Sequence, residues 1–289
     1  MRPRRSVLYM PGVNDRALAK ARSLPADVLI LDLEDAVAPA RKAAARDQVL
    51  AALRDGGYGA RELVVRVNGL DTDWGRDDLR ALAQAPLHGI CLPKVESPET
   101  VREAVAILDA AGAGDDVLIW AMAETPRGIL HINAIAAAHP RLTALVMGTS
   151  DLAKELRVPH TPERLGFITS LGLCVLAARA HGLDILDGVH LDLDDEAGLE
   201  QACEQGRALG FDGKTLIHPK QLAAANRHFG PAAETVAQAE KIIAAWRTAE
   251  AAGSGVVLLD GKLVEALHVE EARRHLAIAE AITRLERGQ

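Results

Sequence analysis

Short apolar runs alternate along the chain with longer segments whose apolar residues recur at helical spacing. The first run covers residues 6–10, closes at Pro11 and Gly12, and leads into a helix over 15–23. The second, 28–33, is apolar until it reaches Asp32, and Glu34 and Asp35 follow it. Such a strand suits a parallel sheet covered on its outer face. A helix is predicted over 39–54, with Pro39 acceptable in its first turn. The alternation continues as strand 63–67 and helix 77–84, then strand 89–92 and helix 98–111, which Ser97 can cap and Gly112 can stop. Strand 117–122 precedes helix 126–138, and strand 144–148 precedes a helical stretch over 162–181. Strands 184–187 and 213–217, each followed by a helix, complete eight units. Eight is the count that closes a (β/α)8 TIM barrel. A doubly wound open sheet is the competing architecture, but no GxGxxG follows the first strand to favour it.

The remaining segment has a different pattern. Residues 231–252 read as an Ala-rich helix, and Gly253, Ser254 and Gly255 as a hinge. Residues 256–259 and 262–264 flank Asp260-Gly261, a type I′ turn pair, and so predict a small hairpin. An amphipathic helix over 269–285 ends the pattern. The expected organisation is a catalytic barrel over 1–230 and a C-terminal helical and hairpin arm over 231–289. The arm is not needed to close the barrel. It reads as a lid, a subunit-swapped element or a helix packed on the barrel's outside.

Composition narrows the field. Of 289 residues, 49% are hydrophobic and only 3% aromatic, so the core is aliphatic. A net charge of -7 argues against nucleic acid as a partner. Three cysteines, Cys91, Cys174 and Cys203, form no CxxC pair, and their odd number disfavours a disulfide framework. The basic start, residues 1–5, is followed by a segment too short and too soon broken for a signal sequence. No apolar run reaches membrane-spanning length. A cytoplasmic protein without a membrane partner is expected.

Charge gathers where the strands end. The second strand supplies Asp32, Glu34 and Asp35, the third Arg66 and Asn68, and the fourth Lys94 and Glu96. The fifth supplies Glu124, the sixth Asp151 and the eighth His218. Barrel enzymes place their sites at that rim. Glu124 and Asp151 offer hard oxygens suited to Mg²⁺, or can simply be capping or salt-bridged carboxylates. Arg66 can stabilise a developing enolate, pair with the acids of the second strand, or do both. Arg16 and Lys20 lie four apart and share a helix face, which is either solvated or grips an anion. Residues 210–219 end the eighth strand and open a helix at Pro219, a place suited to anions, although His218 can equally be a packed turn histidine.

Seven stretches carry a resemblance: RSVLYMPG (5–12), LDLEDAV (31–37), VRVN (65–68), LPKVE (92–96), AETP (123–126), GTSD (148–151) and GFDGKTLIHP (210–219). In this order the chain resembles the citrate lyase β-subunit-like family, which includes malyl-CoA and citramalyl-CoA lyases. The resemblance implies a TIM barrel dependent on Mg²⁺, or Mn²⁺, that makes or breaks a carbon–carbon bond beside a coenzyme A or acyl-carrier thioester. It implies Glu124 and Asp151 as metal ligands and Arg66 as the substrate arginine. Tyr9, Arg16, Lys20, Ile217 and His218 match positions that contact substrate or the thioester moiety, and a homo-oligomer, trimer or hexamer, is implied as well.

The expected reaction is a Claisen or aldol cleavage of a β-hydroxyacyl-CoA such as citramalyl-, malyl- or citryl thioester, giving a 2-oxo acid and an acyl-CoA. The sequence departs from the family in the arm. Relatives carry an aspartate there that protonates the enolate in a neighbouring subunit's site, where this chain has Glu265. The longer side chain leaves open a working acid, a changed substrate or a lost lyase activity. Thioester hydrolysis at the same metal site, and a non-catalytic β subunit of a citrate lyase complex, are the alternatives. A free pyruvate aldolase is a fourth, disfavoured by the basic pair Arg16 and Lys20.

Overall fold

The computed structural model describes residues 2–288. Met1, in the basic start, and Gln289, at the end of the expected arm, lie outside them. The described chain divides into two compact units, one over Arg4–Phe229 and the other over 230–288 with residues 2–3.

In the first unit eight parallel strands close into a barrel in sequence order. They are β1 (Ser6–Pro11), β2 (Val28–Asp32), β3 (Glu62–Arg66), β4 (Gly89–Leu92), β5 (Leu118–Ala123), β6 (Leu142–Met147), β7 (Asp184–Asp187) and β8 (Gly213–Leu216). Pairing of β1 with β8, Val7 opposite Thr215, removes the edges an open sheet would keep. The doubly wound alternative is thereby excluded.

Strand alternation sorts the core into two layers. Leu29, Leu31, Val65 and Ile90 belong to the larger buried cluster, shared with the surrounding helices. Val28, Ile30, Val64, Trp120, Met122 and Val146 form a second buried cluster, which is the barrel interior. Each inward row continues upward by twos. Val28 and Ile30 lead to Asp32, Val64 leads to Arg66, Trp120 and Met122 lead to Glu124, and Val146 leads to Gly148. The same alternation that fills the barrel with aliphatic side chains therefore aims these residues at its C-terminal mouth.

The opposite end is closed by charge. Arg4 forks onto Glu62 at 2.8 and 2.7 Å, reaches Asp184 at 2.8 Å, and lies 4.7 Å over the Trp120 ring. With those partners satisfied, its burial beneath the barrel is tolerable.

The helices of this unit are α1 (Asp15–Ala21), α2 (Lys42–Asp55), α3 (Gly75–Leu82), α4 (Pro98–Ala110), α5 (Pro126–Leu130), α6 (Ile132–Ala136), α7 (Thr149–Leu156), α8 (Ile168–Ala180), α9 (Glu196–Leu209) and α10 (Leu222–Phe229). Three depart from the sequence expectation. The helix expected over 126–138 breaks at His131, whose Nδ1 lies 2.8 Å from the Glu96 carbonyl oxygen, so α5 and α6 are separate. The stretch expected from 162 becomes α8 only at Ile168, after Arg164 takes a left-handed φ of 53°. Residues 149–156, to which no element was assigned, form α7, a helix of eight residues that ends at a left-handed Arg157. The first of these follows from a tertiary hydrogen bond and the second from a backbone turn, neither of which a local period records.

In the second unit α11 (Ala233–Ala251) and α12 (Ala266–Arg287) flank a hairpin of β9 (Val257–Leu259) and β10 (Lys262–Val264). Asp260 and Gly261 both take positive φ, 49° and 75°, as the type I′ turn requires. Among the described residues no helix is long and apolar enough to cross a membrane.

Candidate active site

A cleft of about 430 Å³ opens at the C-terminal ends of the strands. Its polar lining comes from Asp32 at the end of β2, Asp35 after it, Arg66 on β3, Glu124 after β5, Thr149, Ser150 and Asp151 on α7, and Thr215 on β8. Tyr9, Met122, Met147, Val189, Leu191 and Ile217 supply its apolar wall.

Arg66 is the fixed point. Its Nε and Nη2 donate to the two oxygens of Asp32, each at 2.7 Å, and Nη1 lies 2.9 Å from Glu34 and 3.4 Å from Asp35. The Tyr9 ring backs the guanidinium at 4.9 Å. Burial opposes the charge, but the Asp32 hydrogen bonds outweigh it and hold the arginine firmly protonated. The result is a cation whose plane is set by a bidentate carboxylate before any substrate arrives.

Glu124 is 2% exposed. One carboxylate oxygen accepts the Lys94 backbone N–H at 2.7 Å, while the other lies beside Gly148, where a Cβ would overlap it. Burial pushes its carboxyl up to about 7, with the Lys94 N–H pulling the other way and Glu34 adding to the rise. Asp151, in the first turn of α7, is partly exposed and faces the Lys94 ammonium at 3.5 Å. Burial also raises the Glu34 carboxyl, against the pull of Arg66 and Lys94, and it raises the Tyr9 phenol.

Among the described residues, no three His, Cys, Asp or Glu side chains are grouped to hold a metal ion. Two carboxylates suffice for a hard divalent ion that keeps water and takes further oxygens from its substrate. Glu124 and Asp151 are two such carboxylates lining one cleft. The glycine at 148 leaves the Glu124 carboxylate the space it occupies.

The structure brings Tyr9, Arg66, Glu124, Asp151 and Ile217 together around the cleft. Arg16 and Lys20 stand exposed on α1 and do not line it. His218 turns away. Its ring accepts the Lys220 backbone N–H at 3.1 Å and caps the turn after β8, while the Gln221 side chain accepts the N–H groups of Ile217 and His218. Glu265, at the start of α12 in the second unit, is exposed, and its backbone N–H donates to His268 Nδ1 at 3.1 Å. Sequence reading placed Asp32 and Lys94 among the rim charges but gave neither a role, and it gave none to Gly148. The two-residue step from Ile30 to Asp32 and from Val146 to Gly148 was the available signal. The Lys94 backbone contact with Glu124 had none, since a left-handed φ of 49° is invisible in composition.

A closed parallel barrel with a clamped arginine and facing carboxylates at its C-terminal mouth defines a class, the TIM-barrel enzymes that handle developing oxyanions. Within it, the chain belongs to the HpcH/HpaI aldolase/citrate lyase family, whose model matches residues 5–219. It is 52% identical over 280 residues, 97% of this chain and 96% of the relative, to a (3S)-malyl-CoA thioesterase of Cereibacter sphaeroides. It is 36% identical over 285 residues to the citrate lyase subunit beta of Escherichia coli, covering 96% of this chain and 94% of that one. Among solved structures, protein CitE from Mycobacterium tuberculosis, in complex with magnesium, acetoacetate and coenzyme A, superposes with a TM-score of 0.77 at 32% identity, covering 96% of this chain and 98% of that one.

Proposed function

We propose that this chain is a Mg²⁺-dependent enzyme acting on a 3-hydroxyacyl thioester of coenzyme A of the malyl type, with hydrolysis of the thioester as its net reaction. The observation that carries this reading is the clamped Arg66 facing Glu124 and Asp151 across one cleft. Similarity at 52% identity to a (3S)-malyl-CoA thioesterase supports the substrate and favours hydrolysis.

Glu124 and Asp151 would hold the metal ion, with Mn²⁺ able to replace Mg²⁺. When bound, the ion supplies Lewis-acid polarisation of oxygens on the acyl group. Arg66 meets the negative charge that develops on the thioester oxygen as water adds to the carbonyl. A donor fixed in advance in this way is worth roughly 3–4 kcal/mol to the transition state. The C–S bond then breaks and the coenzyme A thiol leaves with a proton. Tyr9, Met122 and Ile217 wall the acyl group from bulk water. Arg16, Lys20 and His218 are proposed to contact the phosphate-bearing part of the thioester outside the cleft.

A second reading is carbon–carbon cleavage, supported by the 36% identity to citrate lyase subunit beta. There the same Arg66 stabilises an enolate, the 3-hydroxyl loses its proton as a 2-oxo acid forms, and an acid returns a proton to carbon. Glu265 is proposed as that acid, brought by the arm to a second copy within a homo-oligomer, trimer or hexamer.

The test is a screen of malyl-, citramalyl-, citryl- and β-methylmalyl-CoA with Mg²⁺, following free thiol and 2-oxo acid separately. Thiol without oxo acid is the expected outcome. Oxo acid without thiol would establish the lyase instead, and neither product from any of the four would remove both readings.

A further inference from the structure

Five carboxylates and two side-chain cations meet at the barrel mouth, and only one of the cations is committed to a single bidentate partner. Arg66 is forked onto Asp32, with its remaining nitrogen toward Glu34 and Asp35. Lys94 has no bidentate partner, its Nζ lying 2.5 Å from Glu34, 3.5 Å from Asp151 and 4.0 Å from Asp35. Its backbone is equally engaged. A left-handed φ of 49° is unfavourable for a residue with a Cβ, and here it directs the Lys94 N–H onto the Glu124 carboxylate at 2.7 Å. One residue thus touches both acids assigned to the metal, Glu124 through its backbone and Asp151 through its ammonium.

We infer that Lys94 is a positioning residue that also competes with the divalent ion, its ammonium sharing Asp151 and giving it up when the ion binds. This rests on the metal reading of Glu124 and Asp151 given above. The physical ground is charge. Asp32, Glu34, Asp35, Glu124 and Asp151 against Arg66 and Lys94 leave an excess of three negative charges, which draws in a divalent cation. A resident ammonium at 3.5 Å from one ligand reduces that attraction. Its side chain is 44% exposed, so it can swing toward Glu34 and solvent without leaving a buried charge unpaired. The device keeps both acids in place and keeps metal binding weak enough to be exchangeable.

The experiment measures metal binding directly, using Mn²⁺ as the probe and the electron paramagnetic resonance of free Mn²⁺ as the readout. Wild type, Lys94→Met, Lys94→Gly, Lys94→Arg and Asp151→Asn are compared as full chains, with thermal melting as the check on folding. Lys94→Met is expected to bind Mn²⁺ about tenfold more tightly, an effect moderated by the exposure of the ammonium. Lys94→Gly, which keeps the N–H to Glu124 and relieves the left-handed backbone, should match it, and Lys94→Arg should stay near wild type. In the Lys94→Met, Asp151→Asn double variant the gain should disappear, because the two effects share one contact. Unchanged or weaker binding in both Lys94→Met and Lys94→Gly overturns the inference while leaving the metal reading intact. A wild-type protein that takes up no Mn²⁺ overturns the metal reading itself.

Discussion

Asp32 and Arg66 stand directly opposite each other in the register of β2 and β3 and are joined by two hydrogen bonds of 2.7 Å. The guanidinium that lines the cleft is therefore fixed by a neighbouring strand of the barrel wall rather than by a loop. Removing one partner of a buried pair costs about 3–5 kcal/mol, most of it the uncompensated charge. Asp32→Ala should lose the lower part of that range, because Glu34 and Asp35 remain near Arg66, and turnover should fall about 10²-fold as the arginine drifts. Urea unfolding and steady-state rates measure both, and an unaltered midpoint with an unaltered rate would show that β2 does not position Arg66.

Gly148 is required by the acid beside it. A Cβ there would overlap the Glu124 carboxylate and its Cβ. Gly148→Ala should cost about 1–3 kcal/mol as an overpacked substitution. The larger effect should be on the site, with divalent-ion dependence shifted to higher concentration and turnover reduced about 10²-fold. Full activity at unchanged metal demand would mean that the carboxylate tolerates another position.

The Glu124 carboxyl, raised to about 7 by burial, makes a pH prediction for the protein in chelator. A folded value above the unfolded one means that the native state binds the proton more tightly. Its stabilising contribution is thus complete below the unfolded value, near 4.3, and is lost as pH rises through 7. Unfolding free energy should fall between pH 5 and 8 by an amount on the order of 3 kcal/mol, and Glu124→Gln should flatten that slope. Added Mg²⁺ should restore stability at the alkaline end, since it favours the ionised form. A wild-type slope indistinguishable from that of Glu124→Gln would contradict the assignment.

Glu265 separates the two proposed reactions. In the lyase reading, Glu265→Gln should lower kcat by about 10²-fold or more while changing KM little, as expected for a group that acts on a proton. Under hydrolysis the rate of thiol release should stay within about twofold, because no carbon is protonated. Parallel assays of thiol and 2-oxo acid on the variant decide between them.

The amino-acid sequence alone determined the eight-unit alternation and the identity of the residues at the strand ends. Both are local properties. Side-chain direction in a strand has a period of two, so a run such as Val28, Ile30 and Asp32 already states which face each residue shares. The type I′ hairpin of the arm was legible for the same reason, since Asp260 and Gly261 tolerate positive φ.

What only the tertiary structure decided is which of those residues meet. That Asp32 rather than Glu34 takes the bidentate grip on Arg66 follows from the β2–β3 register, which non-local packing fixes. The same holds for the break at His131, made by the Glu96 carbonyl, and for Lys94, bent left-handed over Glu124. The His131 and Lys94 contacts both depend on the β4 and β5 units lying side by side in the barrel. A chain written in one dimension specifies the direction of every side chain along its own strand, but the distance between strands exists only once the sheet has closed.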